Sequence, residues 1–279
     1  MKANGAGSAW TQKEIAVTVD TYFEMLRAEL SGIPVNKAHF NRTLQDVTGR
    51  SRGAIEFKHA NISAVLLALR SFYIDGYKPR GNVQNALRRE VERRLKLDSE
   101  LEALMLKSVA GPVSTPSPDL RLQLGEAPVV EIAERIYHRQ AIKHDFVRLE
   151  SDRRELGLAG EVAVVNYERS QLVAQGLPRL AKAVEHVAVT QGDGLGFDVL
   201  SYDADGSEKL IEVKTTRRTE YWPFLATKNE ISLSSEVPEK FYLYRLHGFG
   251  GATAGLFTMR GSLENTCTLV PHVFEAFPG

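Results

Sequence analysis

Residues 192–216, GDGLGFDVLSYDADGSEKLIEVKTT, constrain the fold more than any other stretch of this chain. They read as two short strands, 197–202 and 209–215, joined by the polar turn Asp203-Ala204-Asp205-Gly206. Asp198 lies inside the first strand and Ile211-Glu212-Val213-Lys214 inside the second. Strand side chains alternate between faces, so Glu212 and Lys214 point one way while Ile211 and Val213 point the other. One face packs into a core and the other is charged. Turning such charges inward costs free energy unless something compensates them. A divalent cation held by Asp198 and Glu212 meets that need.

The rest of the chain sets this pair in an alternating pattern. A helix is expected over 160–175, a short strand over 184–189, a short helix or turn over 227–234, a strand over 240–246 and a last strand over 254–259. Residues 10–100 read differently. Ile15, Val19, Tyr22, Phe23, Leu26 and Leu30 recur with helical spacing behind a Thr11/Glu14 capping box. Further helices are expected over 37–46, 61–69 and 84–97, the last basic and amphipathic, with a turn at 75–79. Residues 108–128 hold Gly111, Pro112, Pro116, Pro118, Gly125 and Pro128, a linker composition. A helix over 129–148 is expected to bridge the two halves. The domain expectation is a helical, DNA-binding module at 1–105, a linker at 106–128 and an α/β domain at 129–279.

The length of 279 residues suits one or two domains, and 43% hydrophobic with 25% charged residues is ordinary for a globular chain. No long uncharged apolar run suggests a membrane span, and the N-terminus lacks the apolar core of a signal peptide. The single cysteine, Cys267, excludes an internal disulfide and a cysteine zinc site. A cytoplasmic protein is the simplest expectation. The net charge of +0 conceals an asymmetry: the first hundred residues carry 16 Lys+Arg against 11 Asp+Glu, and the remainder carries the matching acidic excess. A basic half beside an acidic half suits a nucleic-acid module joined to a metal-binding one.

Gly160-Glu161, Tyr167-Glu168-Arg169, Gly196-Phe197-Asp198 and the run from Glu212 to Thr216 carry a resemblance. So do Phe224, Asn229-Glu230 and Tyr242-Leu243-Tyr244-Arg245. Over roughly residues 145–279 the chain resembles the family of domains found at the C-terminus of the plant protein No Vein and in many bacterial proteins. The spacing of Asp198 and Glu212-Val213-Lys214 is similar to the catalytic core of the PD-(D/E)xK nuclease superfamily, with Phe197 where the superfamily's name has proline. The resemblance implies a restriction-endonuclease-like α/β core of helix, mixed sheet and helix; the mostly helical N-terminal region, through Asn36-Lys37, Arg50-Ser51, Ile55-Glu56-Phe57-Lys58, Asn61-Ile62-Ser63 and Gly76-Tyr77-Lys78-Pro79, resembles helical regions ahead of nuclease domains in bacterial restriction-like proteins. The nuclease resemblance implies a Mg²⁺-dependent DNA endonuclease, with Mn²⁺ as substitute, serving restriction or anti-phage defence. Implied partners are double-stranded DNA, a second copy of the chain in a homodimer, and a defence-system protein, with no membrane. The alternative is a non-cleaving module that binds DNA or a partner protein; RNA or tRNA processing is a third reading.

Phosphodiester hydrolysis needs an activated water and stabilisation of extra negative charge, and a carboxylate-bound metal helps with both. Asp198, Glu212 and the carbonyl of Val213 are the expected metal ligands. Lys214, beside two carboxylates, stays protonated and stabilises charge. Glu161 joins them as a catalytic candidate; its bland reading is a helix N-terminal acid stabilised by the dipole. Glu168 shares its helix face, while Tyr167 and Arg169 pack or pair locally. Gly192, Gly194 and Gly196 fail the dinucleotide fingerprint, since a strand follows them, and serve a tight turn beside Asp198; Asp193 is expected at the surface of that turn. Thr215 and Thr216 are candidates to bond a phosphate or a neighbouring carboxylate. Asn229 and Glu230 either cap their helix or brace the site. Expected phosphate contacts are Arg50, Arg52, Lys58, Lys78, Arg80, Arg217 and Arg218, each weighed against a merely solvated charge. No His-x-x-x-His pair points to zinc, and no Gly-x-Ser-x-Gly elbow points to a serine hydrolase.

Overall fold

The computed structural model describes residues 9–113, 116, 120–129, 143–192 and 194–273. Asp193 and most of the expected 129–148 helix lie outside the described residues. The chain forms two compact units, one within Met1–Pro112, Val129–Asp152 and Tyr221–Pro223, the other within Val113–Pro128, Arg153–Glu220 and Phe224–Gly279.

The first unit is helical. Helix α1 (Gln12–Leu30) starts at the expected capping box, in which the Glu14 amide donates to Thr11 Oγ1 and the Thr11 amide donates to Glu14 Oε2. It is followed by α2 (Lys37–Thr48), α3 (Arg52–Ala68), α4 (Asn85–Leu97), α5 (Ser99–Ala110) and α6 (Phe146–Ser151). Asn36, Ser51, Asp98 and Asp145 cap α2, α3, α5 and α6 through their side chains. Helix α3 begins nine residues before the expected start at Asn61, because Ser51 supplies the cap. Ile15, Tyr22, Leu26, Ile55, Ile62 and Leu87 lie in the core. Within it His59 packs edge-on to Tyr22 and Tyr77, with ring centroids 5.6 Å and 4.8 Å away. Neither ring nitrogen has a hydrogen-bond partner among the described residues. Burial lowers the His59 pKa to about 3, keeping the ring neutral.

The second unit is a six-stranded mixed sheet of order β1-β6-β5-β4-β3-β2. Its strands are β1 (Arg121–Leu124), β2 (Glu185–His186), β3 (Val199–Tyr202), β4 (Glu208–Thr215), β5 (Phe241–His247) and β6 (Thr253–Arg260). β4 runs parallel to β5 and antiparallel to β3. The helical elements are α7 (Arg154–Ala174), α8 (Pro178–Ala183), α9 (Val187–Thr190), α10 (Lys228–Glu236) and α11 (Leu263–Thr266). Alternation sorts the strand residues into two cores. Ile211, Val213, Leu246 and Leu256 pack with Leu156, Ala163 and Val164 of α7, whereas Phe241 and Leu243 pack with Ile231 and Leu233 of α10 and Leu263 of α11. Helices therefore cover both faces of the sheet. Among the described residues no helix is long and apolar enough to cross a membrane.

Three expectations change here. The stretch expected as a linker at 106–128 contains the end of α5 and the edge strand β1, which pairs with β6. Such an edge strand needs one partner and tolerates flanking prolines and glycines. The expected strand at 184–189 is two residues of β2 followed by the turn of α9. Helix α7 begins at Arg154, so Glu161 lies two turns inside it and Glu155 occupies the first turn. A helix-dipole role for Glu161 is excluded, because that field fades within the terminal turn.

Candidate active site

Glu212 and Lys214 lie on a central strand of the second unit's sheet, with Asp198 bonded to the main chain between them. Glu212 and Lys214 project from β4 toward α10, the face opposite Ile211 and Val213. Glu212 is buried, and Lys214 Nζ lies 2.7 Å from its Oε1. The same ammonium lies 2.9 Å from Oε2 of Glu230. Glu230 is the third residue of α10, where its carboxylate also accepts the Thr227 amide in a capping box. Local helix chemistry thus aims Glu230 at Lys214, so capping and bracing are one contact.

Asp198 precedes β3 by one residue. Its amide donates to the Ile211 carbonyl at 2.9 Å, and its Oδ2 accepts the Val213 amide at 2.8 Å. That bond holds the carboxylate over β4, between Glu212 and Lys214 in sequence. The approach to it is tight. Gly196 has φ +86°, and a Cβ there would meet the Asn229 carbonyl at 3.0 Å and Leu233 at 3.2 Å. The Asn229 side-chain amide donates to the Gly194 carbonyl at 3.2 Å. The glycine turn is therefore seated on the first turn of α10, as only a residue without a side chain allows.

Glu161 comes from α7. Its neighbour Gly160 abuts the end of β4 so closely that a Cβ would lie 1.8 Å from Thr215 Oγ1. Glu161 Oε2 is 2.7 Å from Nε2 of His186, a residue of β2. Both side chains are 16% exposed.

The electrostatics show an excess of buried negative charge. Burial first, then the Glu161 carboxylate, push the Asp198 pKa up to about 7, against the Val213 amide and Lys214. Burial raises Glu212 well above the usual carboxylate range, with Lys214 opposing and Asp198 and Glu230 adding to the rise. Burial alone would lower Lys214, but Glu212 and Glu230 outweigh it and keep the ammonium charged. Carboxylates crowded in this way favour either a proton or a cation between them.

Asp198, Glu212 and the Val213 carbonyl are an all-oxygen donor set of the kind Mg²⁺ takes. Mg²⁺ needs only one or two carboxylates because it keeps several waters. Among the described residues no three His, Cys, Asp or Glu side chains form a cage for a metal. Two carboxylates and a carbonyl would suit a partly hydrated Mg²⁺ rather than a zinc-type enclosure.

Residues 160–259 match the family described as Protein NO VEIN, C-terminal. The matched span holds every residue of the site just described. No curated protein and no solved structure matches the chain.

Other residues singled out in the sequence lie elsewhere. Glu168 is buried on the α7 face, where its carboxylate accepts from Ser201 Oγ at 2.7 Å, Lys209 Nζ at 2.9 Å and Tyr244 Oη at 2.7 Å. This closed network ties α7 to β3, β4 and β5. Tyr167 packs against the same core, and Arg169 donates to the Val184 carbonyl. Thr215 Oγ1 faces Gly160, and Thr216 Oγ1 accepts the Arg218 amide at 3.0 Å. Arg217 and Arg218 are half-buried.

Among the expected phosphate contacts in the first unit, Arg50 and Lys58 require correction. Arg50 is buried and clamped by both oxygens of Glu14, and Lys58 is buried and donates to Gln84. Both cations stack on Trp10, at 4.9 Å and 4.8 Å. They build the interior and present nothing to a nucleic acid. Arg52, Lys78 and Arg80 are exposed.

Three site residues were not assigned by sequence reasoning. The sequence gives Glu230 no partner, and no local pattern marks His186. Arg245 is buried on β5 in register with Lys214, over the ring of Phe224 at 5.5 Å. Alternation with Phe241 and Leu243 marks its face, but only the parallel β4–β5 register reveals its neighbour.

Proposed function

We propose that the second unit is a restriction-endonuclease-like core of the PD-(D/E)xK type and that the protein is a Mg²⁺-dependent endonuclease acting on double-stranded DNA. The observation that carries this reading is the anchoring of the Asp198 carboxylate on the β4 main chain between Glu212 and Lys214, whose side chains lie 2.7 Å apart. Asp198 and Glu212, with the Val213 carbonyl, hold the metal. When bound, Mg²⁺ supplies Lewis acidity toward a phosphoryl oxygen and an activated water. Lys214 remains an ammonium and offsets the charge that develops on the phosphoryl group. Glu230 keeps Lys214 aimed across the sheet. Exposed Arg52, Lys78 and Arg80 supply sequence-independent phosphate contacts in the helical unit, and Arg217 and Arg218 do so beside β4. A role in restriction or anti-phage defence rests on the family resemblance.

The test is cleavage of plasmid and phage DNA with Mg²⁺ or Mn²⁺, against a chelator control. Asp198→Ala and Lys214→Ala lower cleavage by at least about 10²-fold with folding intact, the size expected for removing one transition-state contact. Undiminished cleavage in both variants removes these residues from the mechanism. Matched RNA duplexes tell DNA from RNA processing.

A non-cleaving binding module is the second reading. It is favoured by the closure of Lys214 between Glu212 and Glu230, which satisfies the ammonium without a metal. DNA binding in chelator, with no heat of Mg²⁺ binding at millimolar concentration, selects it.

A further inference from the structure

We infer that His186 is a positioning residue of the same site, holding the Glu161 carboxylate beside Asp198. The inference rests on the metal-dependent reading above. His186 belongs to β2, whose register with β3 pairs it with Val199, the residue after Asp198. Two residues on, the Ala188 amide donates to the Asp198 carbonyl at 3.2 Å. One short segment therefore grips the main chain of Asp198 and the side chain of Glu161 together.

The contact is directional. An ionised Glu161 only accepts, so His186 Nε2 donates across the 2.7 Å separation, whether the ring is the neutral Nε2–H tautomer or the imidazolium. Neither state is required by the inference. Glu161 has a long side chain, and fixing a glutamate's rotamers costs conformational entropy. Gly160, seated on Thr215, brings the helix to the end of β4, and the His186 contact fixes the Glu161 side chain there.

A merely structural tie between α7 and β2 would look similar in the fold. The core residues of this segment, however, are Val184 and Val187, which are buried, while His186 makes its bond at the partly open edge of the site. A carboxylate fixed there would accept hydrogen bonds from water around a bound Mg²⁺. Groups that orient a metal's surroundings in this way change affinity about 10–100-fold when removed.

The experiment is calorimetric titration of the full chain with Mn²⁺, alongside thermal melts. His186→Leu is expected to weaken Mn²⁺ binding at least about tenfold. His186→Gln, whose amide nitrogen reaches the place of Nε2, is expected to restore binding to within about threefold of the parent. Glu161→Gln weakens binding, and the Glu161→Gln/His186→Leu pair is no weaker than Glu161→Gln alone, because His186 acts through Glu161. If His186→Leu fails to fold, His186→Asn takes its place; its shorter amide does not reach and binding weakens likewise. Unchanged affinity in a folded His186→Leu or His186→Asn overturns the inference, as does a pair whose losses multiply. A parent chain that takes up no Mn²⁺ at millimolar concentration overturns the metal reading itself, and this inference with it.

Discussion

Asparagine at position 198 is expected to make the second unit more stable than the parent above neutral pH while removing its response to metal. The Val213 amide donates to Oδ2 of Asp198, and an asparagine Oδ1 accepts the same bond. The substitution therefore deletes a charge without orphaning a donor. The parent's Asp198 carboxyl has a pKa of about 7 in place of 3.8, so the folded state holds a proton that the unfolded state releases. Stability from this group is complete below about pH 4 and is lost as pH rises through 7. Worked from those values, the parent loses roughly 2–3 kcal/mol between pH 5 and pH 8 that the asparagine variant keeps. Removing the charge also eases Glu212, so the measured difference belongs to the pair. Urea melts at several pH values, followed by circular dichroism, read it out. Both tryptophans, Trp10 and Trp222, lie in the first unit, so the transition that tryptophan fluorescence does not follow is that of the second. Adding Mg²⁺ at pH 8 raises the parent's transition and leaves the variant's in place, since ligand binding stabilises only the state that binds. A parent and variant whose stabilities run parallel from pH 5 to pH 8 would refute the argument, because Asp198 would then be solvated as in the unfolded chain.

Three other perturbations follow from the structure. Glu168→Ala leaves Lys209 and the hydroxyls of Ser201 and Tyr244 without their shared acceptor and costs about 3–5 kcal/mol; a loss under 1 kcal/mol in a denaturant melt contradicts the closed network. Gly160→Ala drives a methyl into Thr215 and destabilises by about 1–3 kcal/mol, and Thr215→Gly in the same chain recovers most of it; a double variant no better than Gly160→Ala shows that the clash lies elsewhere. His59 is held neutral with a pKa of about 3 against 6.5 unfolded, so its contribution is intact above pH 6.5 and falls as pH drops, by about 2 kcal/mol between pH 7 and pH 5. His59→Leu removes that fall, which tryptophan fluorescence melts of the first unit test directly.

The shared face of Glu212 and Lys214 is legible without the structure because strand alternation is a local property. Two residues apart on a strand means one face, wherever the strand lies. The Thr11/Glu14 box and the start of α1 were legible for the same reason. The cap of α3 at Ser51 is just as local, but the apolar run that marks the helix becomes continuous only beyond Asn61. Strand β1 was not legible: four residues among prolines and glycines resemble a linker until β6 is there to pair with them. Arg50 and Lys58 looked like surface cations because sequence cannot show that Glu14, Gln84 and Trp10 enclose them.

What the sequence determined by itself is the set of elements with strong local periodicity and the chemistry of the charged strand, since propensity, capping and alternation act over a few residues. The tertiary structure decided which charges share a space. Glu230 meets Lys214, His186 meets Glu161 and Glu168 retires to the opposite face only because α10 and α7 cover different sides of one sheet. Those contacts join residues from 16 to 41 positions apart, and the register and packing that create them are written in no single segment.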